Sequence, residues 1–168
     1  IDLLKGQLLE LDFMPDKVEK LEFIKLTANT MSNVCSRIRA LFTAWRVAGD
    51  ITVAFDEKRA DLVVNGLKRS SHGKGVRAVM CAGYVIGLMQ EALGANTGHP
   101  GFVVLDTPLN PYKEADVDDD GEVAASVKDA FYRNLCSGGA LGQVVVFENV
   151  APPADVQASC NHVHFSRS

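Results

Sequence analysis

An apolar run that ends in an acid, residues 101–108 (Gly-Phe-Val-Val-Leu-Asp-Thr-Pro), constrains the fold of this chain more than any other feature. Continuous apolar character over so short a span predicts a strand buried on both faces of a parallel sheet. Pro108 cannot donate to a strand ladder, so the strand should end near it. Asp106 is then expected at the carboxyl end of a central strand, where open α/β sheets bind ligands. An aspartate there either holds magnesium in a nucleotide hydrolase or caps the next turn, and the capping role is the commoner one.

Length and composition indicate one globular domain with a core of its own. The chain has 168 residues, of which 47% are hydrophobic and 23% charged. A net charge of −4 gives no overall basic surface for nucleic acid. The longest apolar stretch, residues 79–89, is too short to span a bilayer and no signal peptide is visible, so we expect a cytoplasmic protein without a membrane segment. Because the first residue is Ile1, we also expect a fragment or a processed piece.

The four cysteines are scattered and include no Cys-x-x-Cys pair. Cys35 and Cys81 fall within apolar helical patterns, which predicts reduced, mostly buried thiols in a cytosolic protein. Near the C-terminus, Cys160, His162 and His164 alternate with apolar residues, so a strand would place all three on one face. Zinc binding there is conceivable, but no fourth ligand can be identified, and an ordinary edge strand is the default expectation.

The N-terminal segment is predicted to be helical. Pro15 ends a first leucine-rich stretch, and Asp16 with Glu19 is typical of a capping box that opens a second helix. From Leu21 to Trp45 the apolar spacing alternates between three and four, which is a heptad seam. A coiled-coil arm and an amphipathic helix on a domain core explain this seam equally well, and a stalk entering a globular head would combine them. The seam consists of Leu21, Ile24, Ala28, Met31, Cys35, Ile38, Phe42 and Trp45.

A hairpin and a basic loop are expected next. Residues 51–55 and 62–64 read as antiparallel strands, and Asn65-Gly66 is typical of a tight turn. Residues 68–75 (Lys-Arg-Ser-Ser-His-Gly-Lys-Gly) form a polar, glycine-bearing loop before a helix from about residue 76 to 93. A Ser/Gly loop at a helix N-terminus is a candidate anion site, because backbone N–H groups and the helix dipole both point at it. The alternative is a solvated connector whose glycines merely serve the turn.

The helix after this loop is almost uncharged, so we expect it to be buried nearly all round, with Gly83 and Gly87 letting other elements approach closely. A Walker A loop, G-x-x-x-x-G-K-[ST], is absent from the sequence. Residues 116–121 echo the start of an EF-hand loop, but Val127 stands at the position that requires glutamate, which excludes calcium. A further helix is predicted over residues 122–136 and a second buried strand over residues 143–147.

In this order, the features resemble the C-terminal half of the ATPase head in the SMC-like and DNA-repair branch of ABC-type ATPases. A Ser-x-Gly loop opens a buried helix, an apolar strand ends in aspartate, and a second apolar strand follows. The resemblance covers roughly residues 21–149. It implies an α/β fold: the C-terminal lobe of an ABC-type head, with a mostly parallel sheet flanked by helices and an N-terminal coiled-coil-like helix. Residues 1–48 would form the returning arm and residues 49–168 the lobe.

The resemblance also implies roles for the basic loop. Ser71 and Gly73 are similar to the serine and glycine of the signature motif. With His72, Lys74 and Gly75 they would contact the γ-phosphate of ATP bound on an opposing head. The sequence Ser-His-Gly-Lys-Gly departs from the usual Ser-Gly-Gly followed by glutamine or glutamate.

Three residues would carry the chemistry in such a head. Asp106 resembles the Walker B aspartate, which organises Mg²⁺. Thr107 stands where most members have the glutamate that polarises water, and threonine cannot act as a general base at neutral pH. Glu148 or Asn149 lies near the switch position, where no histidine is present. Hydrolysis would then be slow or would use another carboxylate, such as Glu114 or Glu148.

The partners follow from the same resemblance. A Walker A half from elsewhere would complete each head, and two heads would sandwich ATP and magnesium in a homodimer. The arm would transmit head separation to DNA or to a partner nuclease, and the chain alone should not hydrolyse ATP. Two alternatives stay open. One is a non-enzymatic assembly module, oligomerised by the seam, with a vestigial site at Asp106. The other, weaker one is a free-standing metal hydrolase that uses Asp106 and the acids of residues 116–122.

Overall fold

The computed structural model of this protein describes residues 27–109, 120–137, 141–149 and 151–165. These residues form a mixed α/β fold of helices and two small sheets. The helices are α1 (Ala28–Ala44), α2 (Lys74–Gly94), α3 (Asp120–Cys136) and the short α4 (Ala154–Gln157). The strands are β1 (Val53–Asp56), β2 (Asp61–Val64), β3 (Leu67–Lys68), β4 (Phe102–Asp106) and β5 (Gln143–Phe147), and a 3-10 turn spans Arg69–Ser71.

The centre of the core is the packing of α1 against α2. Ile38 and Phe42 of α1 are fully buried there. Glycines on α2 permit the close approach, as predicted from their sequence. A Cβ built on Gly87 would lie 2.6 Å from Ile38 Cγ1, and one on Gly83 would overlap the ring of Phe42. The pair therefore fits only because these two positions have no side chain.

The described part of the heptad seam packs into the core of this fold. Thr27 caps α1, since its backbone is extended and its Oγ1 accepts the N–H of Thr30 at 3.1 Å. The helix that runs to Ala44 therefore begins at Ala28 and not near Asp16. The amphipathic interpretation holds from residue 28 onward, because seam residues on this helix and at its end enter the core: Met31, Ile38, Phe42 and Trp45. The predicted arm upstream, with its capping box, lies outside the described residues.

Trp45 joins the end of α1 to α3. Its ring is fully buried, and its Nε1 donates to Asn134 Oδ1 at 2.8 Å. The ring centroids of Trp45 and Phe131 are 4.8 Å apart. Helix α3 begins at Asp120, close to the predicted start at residue 122. These contacts attach α3 to the α1–α2 pair.

The predicted hairpin exists, and a third strand extends it. β1 and β2 pair antiparallel, with Val53 opposite Val64. Asn65 and Gly66 both have positive φ, 50° and 74°, which suits the tight turn predicted there. That turn leads into a third strand, β3, in a stretch expected to be loop, so the sheet order is β1-β2-β3. The basic loop therefore starts from a sheet edge.

The strand predicted from the apolar run exists as β4, but it is buried on one face only. It pairs parallel with β5, and Asp106 lies opposite Phe147. Leu105 is buried in the core, whereas Phe102, Val104 and Phe147 are 48%, 53% and 49% exposed. The prediction of burial on both faces is wrong for β4 and β5, because core elements cover one face and the described residues leave the other open. Within the described residues, the expected mostly parallel sheet is this one pair beside a separate antiparallel sheet.

The C-terminal segment also differs from expectation. Within the described chain, residues 161–165 are exposed and irregular and do not form the predicted edge strand, while the short helix α4 precedes them. All four cysteines are free, and Cys81 and Cys160 are exposed while Cys35 and Cys136 are half-buried. The expectation of mostly buried thiols is therefore wrong. Cys81 lies on the strip of α2 that it shares with the exposed Lys74 and Arg77, away from α1.

Candidate functional site

Parallel pairing brings three predicted site residues together at one edge of the sheet. β4 ends with Asp106 and β5 with Phe147, side by side. The N–H of Thr107 donates to the carbonyl oxygen of Phe147 at 2.8 Å, so the pairing extends one residue beyond Asp106. Glu148 follows directly on the neighbouring strand. We call Asp106, Thr107 and Glu148 the strand-end cluster; the side chain of Asp106 is exposed to solvent.

Glu148 holds the turn that follows β4. Its Oε1 accepts the N–H of Leu109 at 2.7 Å, and its Oε2 accepts the N–H of Asn149 at 3.2 Å. Thr107 has a φ of 47°, a left-handed conformation that costs a β-branched residue energy and needs support from its surroundings. Both oxygens of the Glu148 carboxylate thus accept hydrogen bonds from the backbone, which orients the side chain. This geometry favours a positioning role for Glu148 over that of a proton acceptor.

A buried tyrosine of α3 lies beside Glu148. Tyr132 is 6% exposed, and its hydroxyl has no hydrogen-bond partner among the described residues. Burial, with added contributions from the charges of Glu148 and Cys160, raises the pKa of Tyr132 to about 12. The phenol therefore stays neutral at physiological pH, and its O–H is a donor without a partner among the described residues.

The predicted phosphate loop, residues 71–75, lies at the N-terminus of α2. Gly73 is the N-cap, and the first helical hydrogen bond runs from the Arg77 N–H to the Gly73 carbonyl at 3.0 Å. Glycine has no side chain with which to satisfy the N–H groups of the first turn. A Cβ built on Gly73 would meet no described atom within 4 Å, and Ser71 is exposed. The loop therefore presents a hydroxyl and a helix N-terminus to open space.

His72 is the one partly buried polar side chain of this loop. Its Nε2 is buried and has no hydrogen-bond partner among the residues that the structure describes. Buried polar atoms are normally paired. This nitrogen therefore marks the loop as a place whose polar groups the described fold does not fully satisfy.

An ion pair fixes the entrance to the 71–75 loop. Arg69 donates from Nε to Asp61 Oδ1 at 2.8 Å and from a terminal nitrogen to Asp61 Oδ2 at 3.0 Å. Hydrogen bonding from Arg69 holds the pKa of Asp61 below its ordinary value, and the Leu62 N–H acts in the same direction. Asp61 is the first residue of β2, so the pair ties the 3-10 turn to the antiparallel sheet.

The strand-end cluster and the 71–75 loop are built by different elements. The cluster lies at the ends of β4 and β5, whereas the loop lies at the N-terminus of α2. We call the cluster and the loop the two half-sites.

The donor set of the cluster suits magnesium bound together with a nucleotide. Mg²⁺ keeps several waters and takes further ligands from phosphates, so one exposed carboxylate such as Asp106 is a suitable protein ligand. Among the described residues, no three His, Cys, Asp or Glu side chains come together as a metal-binding group. Cys160, His162 and His164 are exposed and do not form the zinc arrangement that a strand would have given.

Two charge pairs of this structure were not predicted from the sequence. Asp61 and Arg69 lie eight residues apart on either side of a turn that the sequence did predict. On the opposite side of α2, the 8% exposed Glu91 accepts from Arg37 Nε at 2.7 Å and from Asn33 at 3.0 Å. The available signal was a single carboxylate late in a helix that carries no other charge after Arg77. A buried acid of that kind nearly always has a partner.

A scan of protein-family models finds no match to this chain, and a search of curated proteins finds no significant match. Helix α2 is long and apolar enough to cross a membrane by length and composition, although Val79, Met80 and Ile86 are buried in the core here. The geometry of the two half-sites is therefore what supports a function for this chain.

Proposed function

We propose that this chain is the C-terminal half of the ATP-binding and ATP-hydrolysing head of an SMC-like ATPase, and that a Walker A half completes the head. One observation carries the proposal: an exposed aspartate ends a parallel strand whose second face, among the described residues, is open and largely apolar. Parallel sheets are normally covered on both faces. The open face of β4 and β5 therefore suits a further lobe.

The register of the sheet connects this open face to Asp106. Directly paired residues of parallel strands lie on the same face, and every second residue shares it. Phe102 and Val104 thus share a face with Asp106, and their partners on β5 are Gln143, Val145 and Phe147. A lobe that covers this apolar face reaches the aspartate at its end, which is where a phosphate-binding loop would have to lie.

The two half-sites then act in different ATP sites. Asp106 organises magnesium in the site of its own head. Ser71, His72, Gly73, Lys74 and Gly75 contact the γ-phosphate of ATP on the opposing head, using the α2 N-terminus and a basic loop. ATP then acts as a cross-linker whose hydrolysis releases the heads.

The chemistry of such a head is mainly positioning and charge stabilisation. Thr107 cannot take a proton at neutral pH. Glu148 is engaged by the Leu109 N–H in this structure, so it holds the turn that presents Asp106 and Thr107. We therefore expect slow hydrolysis, which would prolong the ATP-bound, joined state of the heads.

The partners of the proposal are a second copy of the head and a target at the end of an arm. α1 is the root of that arm, and residues upstream of Thr27 would continue it. DNA or a partner nuclease is the expected target, and the expected location is the cytoplasm. The net charge of −4 argues that DNA would be contacted elsewhere than on the body of this chain.

Substituting Asp106→Asn in the full-length protein, expressed from its own gene, tests the proposal. Loss of the magnesium-organising charge should lower the ATPase rate about 100-fold. Asp50→Asn, which neutralises an exposed acid between α1 and β1, is the matched control and should leave the rate unchanged. An ATPase rate that is unaffected by Asp106→Asn would contradict the assignment.

The second candidate is the non-enzymatic assembly module. Thr107 in place of a glutamate favours it, and the open apolar face of β4 and β5 would serve equally well as an assembly contact. Equilibrium ATP binding separates the two functions. A full-length protein that self-associates but binds no ATP is an assembly module.

A further inference from the structure

Two cysteines lie close to the place where the end of α3 contacts α4. Cys136 is the last residue of α3, and Cys160 follows the turn that ends α4. One turn before Cys136, Arg133 donates to both carboxylate oxygens of Asp155, the second residue of α4. This contact fixes α4, and with it the approach of Cys160, on the surface of α3.

A shallow cavity of about 260 Å³ lies beside Cys136, and Val156 is its buried residue. Ser159, the residue before Cys160, also lines this cavity, which brings the two cysteines to the same part of the surface. Burial raises the pKa of the Cys136 thiol, and the Cys160 thiol raises it further. Cys160 is exposed and Cys136 half-buried. The cavity is lined by Arg133, Cys136, Ser137, Asp155, Val156 and Ser159.

We propose that Cys136 and Cys160 form a reversible disulfide within the chain when the protein meets a hydroperoxide. The exposed thiol is the one that an oxidant reaches, and the half-buried neighbour is placed to resolve the product. Susceptibility of cysteine to oxidation follows exposure and thiolate character, and redox-sensing cysteines are often found beside a resolving thiol. This inference is independent of the ATPase proposal.

The reaction balances without any other reagent. The Cys160 thiolate attacks one oxygen of hydrogen peroxide, the O–O bond breaks, and a sulfenic acid forms with release of hydroxide, which takes up a proton to become water. The Cys136 thiolate then attacks the sulfur of Cys160, the S–O bond breaks, and a second water leaves. The peroxide is reduced and the two thiols are oxidised. A dithiol reverses the step by thiol–disulfide exchange.

The position of the bridge connects it to the strand-end cluster. Tyr132 lies four residues before Cys136 and so shares its face of α3. The charges of Glu148 and Cys160 both act on Tyr132. A bridge at this place would therefore tie the C-terminal segment to the helix face that carries Tyr132.

Peptide mapping of the full-length protein tests the proposal. The protein is treated with hydrogen peroxide at about equimolar concentration, remaining thiols are blocked with N-ethylmaleimide, and the digest is analysed by mass spectrometry. The expected product is a linked Cys136–Cys160 peptide, about 2 Da lighter than the sum of its parts, that dithiothreitol separates. This readout needs no variant and no nucleotide.

Two variants sharpen the result. Cys160→Ser changes an exposed side chain, and it should abolish the bridge while leaving Cys136 as a free thiol. Cys81→Ser removes an exposed thiol of α2 and should leave the bridge intact. Reduced Cys136 and Cys160 after peroxide, a bridge between two chains, or a different cysteine pair would each overturn the inference. Full linkage with unaltered ATPase chemistry would still support it.

Discussion

Gly83 and Gly87 set the distance between α1 and α2, and they do so by lacking a side chain. Gly83→Ala or Gly87→Ala gains about 1 kcal/mol of helix propensity. Overlap with Phe42 or Ile38 costs about 1–3 kcal/mol in a packed core, and here the overlap is severe. We expect a net loss of about 1–2 kcal/mol in the free energy of unfolding, measured by urea denaturation.

Gly49→Ala is the matched control for these substitutions. A Cβ at Gly49 meets no described atom within 4 Å, so its effect should stay within about 0.5 kcal/mol. Equal stability of Gly83→Ala and Gly49→Ala would mean that the two helices do not pack as described.

Tyr132 carries a buried hydroxyl without a described partner, beside the Glu148 carboxylate. An unpaired buried polar group costs about 1–3 kcal/mol. Tyr132→Phe removes the hydroxyl and keeps the ring against Phe131. We expect the free energy of unfolding to stay the same or to rise by about 1 kcal/mol. A loss greater than 1 kcal/mol on denaturation would show that the hydroxyl has a partner after all.

For single residues, the sequence predicted the place in a helix or strand better than the burial and contacts of the side chain. Asp106 lies at a strand end and the 71–75 loop leads into α2, because both follow from local patterns and turn chemistry. The expectation that α2 is buried nearly all round is wrong, since Lys74, Arg77 and Cys81 are exposed. The bond from Leu109 to Glu148 spans 39 residues, and the one from Asn33 to Glu91 spans 58. No local pattern encodes such contacts, because they depend on how complete elements pack.

Between elements, the pairing of Arg37 with Glu91 gives the α1–α2 contact a pH dependence. Hydrogen bonds from Arg37, then from Asn33, hold the pKa of Glu91 below its ordinary value of 4.5. The folded-state pKa is thus depressed. The stabilisation is complete above pH 4.5 and is lost as pH falls through the lower, folded-state value.

Glu91→Gln should therefore lower the free energy of unfolding by about 1–2 kcal/mol at pH 7, because Arg37 is partly exposed and screened. As the pH falls below 4.5 and through the lower folded-state pKa of Glu91, the variant and the unmodified protein should converge, because the carboxyl becomes protonated. Thermal melts at several pH values measure both effects, with the exposed Glu57→Gln as control. If the stability difference between Glu91→Gln and the unmodified protein does not shrink on acidification, the link between Glu91 ionisation and stability is refuted.

The bounds of whole elements were predicted unevenly. The predicted strand at 143–147 coincides with β5, and the predicted helix at 122–136 differs from α3 by two residues. The start of α1 at Ala28 was missed, because Thr27 interrupts a seam whose apolar spacing continues upstream without a slip. β3 was missed because two polar-flanked residues carry no periodicity.

For the whole molecule, the open face of β4 and β5 is the feature with the largest consequence. Val104 is 53% exposed there, so Val104→Asp should change the stability of the 168-residue chain by no more than about 0.5 kcal/mol. In the full-length protein the same change would bury an unpaired charge under the Walker A half, and ATP binding should weaken at least 10-fold.

Leu67→Asp is the control, because Leu67 is 54% exposed on the other sheet. It should leave ATP binding unchanged. If Val104→Asp and Leu67→Asp weaken ATP binding equally, the open face of β4 and β5 has no special role in ATP binding. The prediction that β4 is buried on both faces was wrong because an apolar pattern indicates only that a strand is suited to being covered on both faces. The pattern does not tell which element, or which chain, covers each face.

The central claim is most directly tested by the molar mass of the full-length protein in solution, with and without a non-hydrolysable ATP analogue and Mg²⁺. We expect the nucleotide analogue to convert single heads into dimers. Ser71→Arg should abolish the conversion by filling the place of the γ-phosphate, while Ser32→Arg on the exposed side of α1 should not. A molar mass that nucleotide does not change, or a nucleotide-dependent dimer that persists in Ser71→Arg, would contradict the assignment of this chain as half of an ATP-joined head.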